Sequence, residues 1–296
     1  MITHKKLPNG FEYIEIKNRA AEAKIALQGA HLFHYARVGE KPLLWLSEVS
    51  DFEVGKAIRG GVPLCWPWFG FNEDKSLPQH GFARLSLWEF ASGDEVDDKT
   101  TTLNFKLSYD EKTLKMWHYK FLLELKIIIS DKLTMELKTV NLDDKIFKIS
   151  QALHTYFSVS HISDVTIKGL DKKPYLDALT WKNELQKGDV TFDQEIDRVY
   201  QKVEDEIVLK DKNREIHIKN QGSSSVVVWN PWIEKTSRMS AMRDDAYKHF
   251  VCIESANAFD DARVIKSLET HSLKACLLYT SPSPRDRTRS RMPSSA

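Results

Sequence analysis

The sequence predicts an all-β protein, one large antiparallel β-sandwich of many strands with few short helices. Three observations lead there. Apolar residues alternate with polar ones at period 2 in one segment after another. Turn-forming residues separate these segments, and no long stretch holds a helical period. Strand follows strand without the strand–helix rhythm that a parallel, doubly wound sheet requires.

The elements follow in order. After the turn signal Ser92-Gly93-Asp94, residues 101–110 (TTLNFKLSYD) place Leu103, Phe105, Leu107 and Tyr109 on one face. Residues 133–142 (LTMELKTVNL) put Leu133, Met135 and Leu137 on one face and turn Glu136 and Lys138 away. Residues 206–220 read as a hairpin: Ile207 and Leu209, a polar turn around Asp211 to Asn213, then Ile216 and Ile218. One wet face per strand is the pattern of antiparallel sheets. Gln221-Gly222 is the next turn signal, and the best helical candidate is short, Ser240 to Tyr247. No internal repeat and no linker interrupts the chain before Ala275, so residues 1–275 are expected to form one domain.

Composition narrows the function. The 296 residues are 42% apolar and 29% charged, which excludes global disorder and allows a large buried core. Forty-three basic against 42 acidic side chains leave a formal charge of +1, without the basic excess of a dedicated nucleic-acid binder. Three cysteines make no disulfide framework and suit a reducing compartment. The N-terminal MITHKKLPNG lacks the apolar core of a signal peptide, and the apolar run KFLLELKIII is short and broken by charge. The expectation is a soluble, cytoplasmic protein with no membrane partner.

The last 21 residues, CLLYTSPSPRDRTRSRMPSSA from Cys276, hold four Arg, three Pro and five Ser and show no structural period. They resemble the translated read-through of a transposon-end adaptor from sequencing libraries. Residues 276–296 are therefore expected to be a non-native, disordered tail outside the domain. Without the tail's four Arg and one Asp the formal charge falls to about −2. A genuine Arg/Ser tail that binds RNA is the rival reading, although four arginines are few for it. The residues CLLYT also suit a strand.

Two stretches break the alternation: Arg59–Phe71 (RGGVPLCWPWFGF) and Leu77–Arg84 (LPQHGFAR). Glycine and proline at this density exclude a central strand, so both are loops, where a rigid β scaffold carries a site. Trp66, Trp68 and Phe69 plug the end of the sandwich, floor a pocket, or do both at once. GxSxG, Walker, GxGxxG, CxxC and HExxH signatures are absent. His31 and His34, three apart in a strand, face opposite ways and share no ion. His161 has no ligand cluster around it.

Three features carry more. His154, in QALHTYFSVS, lies among Leu153, Tyr156 and Phe157; a core histidine and a working acid/base are both open there. Glu254 follows Phe250–Ile253, which fill both faces of a buried strand. A carboxylate there needs partners or a raised pKa, either of which makes it a candidate base, unless it ends the strand facing solvent. Arg59 and Arg84, each in a glycine-containing loop, are surface arginines or planar forks for a phosphate or carboxylate.

The segments IRGGVPLCWPWFG, LPQHGFAR, QALHTYFSV, EIDRVY, VVWNPW and FVCIESAN, in this order, resemble the hexose-6-phosphate mutarotases of the aldose 1-epimerase superfamily. The likeness runs from about Gly10 to Ala275. It implies a galactose-mutarotase-type supersandwich, which agrees with the alternation. Carried over position by position, it implies catalysis by His154 and Glu254, and substrate contacts from Arg59, Gln79, Arg84 and Asp197. It implies a small-molecule hexose phosphate as substrate, no cofactor, no metal, and a monomer. The departure from the family is the C-terminus, where the last strand meets the suspected adaptor.

The implied reaction is interconversion of the α and β anomers of glucose 6-phosphate and related hexose 6-phosphates by ring opening. It needs one base and one acid at the anomeric centre and no redox step. Glu254 is the implied base at O1–H and His154 the acid at O5, with Asp197 and Gln79 on the sugar hydroxyls and Trp66, Trp68 or Trp232 beneath the ring. The alternatives are a mutarotase for unphosphorylated aldoses and a non-catalytic sugar-phosphate sensor on the same scaffold. A pure binder would have no need of the acid/base pair.

Overall fold

The computed structural model describes residues 1–212 and 214–280. The alternating segments form strands in the expected way. In Thr101–Ser108, Leu103, Phe105 and Leu107 are buried, while Tyr109 falls just beyond the strand and is exposed. In Leu133–Asn141, Leu133, Met135 and Leu137 face inward, and on the outer face Lys138 pairs with Glu124 at 3.0 Å. Ile207–Asp211 and Arg214–Gln221 pair antiparallel, with Ile207 opposite Ile218 and Leu209 opposite Ile216. Asn213 of the intervening turn lies outside the described residues.

Two eight-stranded antiparallel sheets dominate. The first runs Thr166–Lys168, Ile207–Asp211, Arg214–Gln221, Thr270–Thr280, Leu133–Asn141, Phe121–Ile129, Thr101–Ser108, Glu89–Glu95. The second runs Lys182–Leu185, Pro174–Asp177, Ile196–Tyr200, Ser225–Asn230, Phe250–Asn257, Gln151–Leu153, Leu64–Cys65, and Tyr156–Ser158 also pairs with Phe250–Asn257. A four-stranded sheet of residues 2–37 joins them. The main core gathers side chains from all three sheets, among them Phe105, Ile127, Leu277, Val228, Val251, Ile253 and Ile14.

Strand Phe250–Asn257 is the central case. All eight of its residues are buried, so both faces are covered. Val251 and Ile253 point into the main core, while Phe250 and Cys252 point to the other face and join a separate cluster with Tyr156 and Trp229. The period of 2 places Glu254 on that second, outer face.

The described residues contain two α-helices, Glu111–Met116 and Trp232–Arg238, and neither is the expected one. Asp110 nucleates the first through a capping box, accepting from the Thr113 N–H at 2.7 Å while its own N–H donates to Thr113 Oγ1 at 2.8 Å. Of Ser240–Tyr247 only the end enters a helical turn, the 3₁₀ segment Ala246–His249. No described helix is long and apolar enough to cross a membrane.

The expected disordered tail is corrected at its start. Cys276–Thr280 continue the strand Thr270–Thr280, pairing with Arg214–Gln221, and Cys276 and Leu277 also face Thr134 and Leu133. Leu277 and Tyr279 are buried, which is why these residues add to the sheet. Residues 281–296 lie outside the described residues. Tyr279 accepts from the Arg37 backbone N–H on its hydroxyl, and its carbonyl accepts from the Arg37 guanidinium, each at 2.7 Å. Tyr279→Ala is expected to lower stability by about 3–5 kcal/mol in urea unfolding, the usual cost of emptying a buried aromatic site. A loss below about 1 kcal/mol would show that these residues do not belong to the folded sheet.

Candidate active site

The outer face of the second sheet is floored by small side chains: Cys65, Ala152, Val199, Val227, Ala256 and Ala258 form one cluster with Phe69 against it. Beside this floor stand the polar groups. Asp197, Trp229 and Cys252 are register partners across three neighbouring strands, and Tyr156 is opposite Cys252 on the next. Glu254 is two residues on from Cys252. His154 sits in the link between Gln151–Leu153 and Tyr156–Ser158, held by its N–H donating to the Pro63 carbonyl at 3.0 Å.

His154 Nε2 and Glu254 Oε1 are 3.3 Å apart, and the carboxyl side chain is 2% exposed. Burial pushes Glu254 well above the usual carboxylate range; Asp197 adds to this and Arg84 opposes it. Burial holds His154 well below the usual imidazole range, helped by His80, Arg84 and Arg59. Both directions favour the neutral forms, carboxylic acid and imidazole, over the ion pair. The pair therefore carries one proton across a short contact, and one proton transfer converts either form into the other. Tyr156 stacks on the imidazole with centroids 4.9 Å apart, and Trp229 meets it edge-on at 5.9 Å.

The two irregular loops deliver the cations. Gly60 supplies the carbonyl that His31 contacts at 2.8 Å, and a Cβ on Gly61 would stand 2.4 Å from the Leu32 carbonyl oxygen. Only glycine lets the chain carry Arg59 over that strand. Gly81, at φ +74°, is pinned likewise, since a Cβ there would stand 1.9 Å from the Trp66 oxygen. It orders the neighbouring His80 and Arg84. The Arg59 guanidinium lies beside the Tyr156 hydroxyl, and Arg84 donates from Nη2 to the Gln79 carbonyl at 2.7 Å. Both arginines are half-buried rather than freely exposed.

His154, Glu254, Arg59, Arg84 and Asp197 thus share one electrostatic neighbourhood. Gln79 joins through its backbone carbonyl, and its residue is exposed. Sequence reasoning missed His80, Tyr156, Trp229 and Lys235. His80 meets His154 edge-on at 5.8 Å; its Nδ1 accepts from the Gly70 N–H, so its proton sits on Nε2, and burial pushes its pKa down to about 3. The expected tryptophan floor is corrected. Trp66 is fully buried in the main core, Trp68 packs on Phe82, and Trp232 packs on Tyr247; the indole at His154 is that of Trp229. The bland readings of the other histidines agree with their places: His34 pairs with Glu22 and His161 caps the turn Ile162–Asp164.

Buried polar atoms without partners mark the site. Arg59 Nε, Arg84 Nε and Glu254 Oε2 have none, and His154 Nδ1 faces only its own carbonyl, outside hydrogen-bond geometry. Native folds leave few such atoms, each costing about 1–3 kcal/mol. Four of the seven such atoms among the described residues belong to this acid/base pair and its two arginines; the others are on Gln151, Arg198 and Arg263.

The chain belongs to the aldose 1-epimerase family, a family of isomerases, whose profile matches residues 12–275. It is 37% identical over 275 residues to a protein of Escherichia coli (strain K12) that bears the provisional name glucose-6-phosphate 1-epimerase, covering 92% of this chain and 91% of that one. The crystal structure of a provisionally named mutarotase from Salmonella typhimurium superposes with a TM-score of 0.89 at 34% identity, over 95% of this chain and 94% of that one. A galactose mutarotase-like protein from Clostridium acetobutylicum, at 15% identity and a TM-score of 0.75 over 95% of this chain and 98% of that one, shares the fold.

A raised carboxyl pKa has a thermodynamic consequence. Above about pH 4.5 the unfolded chain gives up the Glu254 proton while the folded chain retains it, so this group's contribution to stability declines as pH rises. Glu254→Gln, neutral at every pH, escapes that loss. The melting temperature of Glu254→Gln is expected to gain on the wild type progressively from pH 5 to pH 8. A difference that stays constant across that range would show that Glu254 is ionised as easily in the fold as in water.

Proposed function

We propose that this chain interconverts the α and β anomers of glucose 6-phosphate and related hexose 6-phosphates. The observation that carries the reading is the buried His154–Glu254 contact at 3.3 Å with Arg59 and Arg84 acting on it. In the ion-pair form, the Glu254 carboxylate takes the proton from O1–H. As the C1–O5 bond breaks and the C1 carbonyl forms, His154 delivers its proton to O5. Rotation about C1–C2 turns the other face of the aldehyde to O5. Reclosure then returns the O5 proton to His154 and the Glu254 proton to O1, so the site ends as it began. Each positioned proton-transfer group typically contributes about 10²–10⁴-fold.

The choice of a 6-phosphate follows from connectivity in the sugar. C6 and O5 are both bonded to C5, so a phosphate on C6 lies close to the atom that His154 serves. Cations for that phosphate belong on the His154 side; both arginines influence that imidazole, Arg59 acting on it alone of the pair and Arg84 on Glu254 as well. Asp197 and Gln79 are assigned to the sugar hydroxyls, and Trp229 to the apolar face of the ring. The relatives' names support the same substrate.

The test is anomer exchange of α-glucose 6-phosphate and of α-glucose, followed by polarimetry or exchange NMR. Acceleration on the phosphate, lost in Glu254→Gln, is expected. Arg84→Ala should raise KM for glucose 6-phosphate by about ten- to a hundredfold, the worth of a charge-assisted contact of about 1.5–3 kcal/mol, and change turnover of glucose far less. Equal losses on both sugars would remove the phosphate-binding role. Binding without acceleration, in folded protein, would support the sensor reading.

A further inference from the structure

Helix Trp232–Arg238 carries a cation into the site that the mechanism above does not use. Lys235 Nζ lies 2.8 Å from Glu195 Oε1, 3.7 Å from Asp197 Oδ2 and 5.8 Å from the centre of the Trp229 ring. The placement is built rather than incidental. Asn230, buried at the end of strand Ser225–Asn230, donates to the carbonyls of Tyr247 and Phe250, and its side-chain oxygen accepts from the Trp232 N–H at 3.0 Å. This anchors the start of the helix at the strand that bears Trp229. Buried Thr236 bonds back to the Trp232 carbonyl one turn earlier, which fixes the turn that presents Lys235.

We propose that Lys235 is a positioning residue that keeps the half-buried Asp197 ionised and aimed at the substrate, so that of the two carboxyls on this face the buried Glu254 is the one that carries the proton. The inference rests on the mutarotase reading for its consequence in catalysis, but not for its chemistry. Around Asp197 the acidic groups outnumber the basic ones: Glu195 precedes it on its own segment, Asp177 acts on it from the strand on one side, and Glu254 and Cys252 from the second strand on the other side. Lys235 is the cation that opposes them. Two carboxyls in one poorly hydrated site cannot both ionise freely. A fixed ammonium beside one of them decides which stays charged. An ionised Asp197 is the stronger acceptor for sugar hydroxyls, and its charge raises the proton affinity of Glu254.

The direct test is a carboxyl ¹³C NMR titration of protein labelled at aspartate Cγ, with Asp197→Asn identifying the signal. In Lys235→Met the Asp197 midpoint is expected to move up by about one pH unit or more, since an opposite charge at this range lowers a carboxyl by about 1–3 units. Lys235→Arg should restore it, and Lys235→Gln replaces the methionine variant should that one not fold. In the kinetic arm, the acid limb of kcat/KM for glucose 6-phosphate should move up with the midpoint in Lys235→Met, and the second substitution should add no further displacement in an Asp197→Asn background. An unmoved midpoint overturns the proposal, as does a loss of kcat/KM that is uniform across pH. Should the wild type accelerate no anomer exchange at all, the functional reading fails, and the titration alone still decides the role of Lys235.

Discussion

A buried imidazole in contact with a buried carboxyl is the constraint around which this molecule is arranged. Neither group is stable as an isolated charge in such a place, and each is held toward its neutral form by burial. Held 3.3 Å apart, they need only one proton between them. That arrangement demands a backbone whose geometry does not drift. The sheet register supplies it: Glu254 lies within a strand paired on both sides, and His154 is tied by its backbone to the loop that also carries Arg59. The arginines, Lys235 and the stacked Tyr156 then adjust the electrostatics of a pair whose positions are already set.

Stability and chemistry are assigned to opposite faces of the same strand. Val251 and Ile253 bury apolar surface between the sheets, each worth about 1.5–3 kcal/mol. On the opposite, outer face, the orphaned atoms of Glu254, the next residue along, and of Arg59 and Arg84 from the adjoining loops work against folding by comparable amounts. The large core is what permits a strained outer face.

Much of this was legible in the sequence, and the reasons differ by element. The sandwich was, because a period of 2 is a local property that each strand displays independently. Glu254 was, because a carboxylate in a segment apolar on both faces has no cheap alternative. The loops of Arg59 and Arg84 announced themselves by glycines whose need is steric. His80, Tyr156, Trp229 and Lys235 were not legible, because their roles depend on which strands become neighbours, and register is non-local. The tryptophan floor was misplaced for a related reason: composition marks an aromatic-rich loop without saying which ring turns inward. Helix Glu111–Met116 was missed because a capping box, rather than an apolar stripe, creates it. The five residues from Cys276 join the sheet because alternation of apolar side chains suffices for pairing, whatever their origin.

The central claim is that His154 and Glu254 act as one proton-carrying unit. The most direct measurement is a double-mutant cycle on anomer exchange with His154→Gln, Glu254→Gln and the combined variant, each shown to be folded. Residues that act as a unit are strongly non-additive. The account expects each single substitution to cost about 10²-fold or more, and the double variant to be no slower than the slower single one. Losses that multiply in the double variant would contradict it, because they would mean two independent contributions rather than one shared proton.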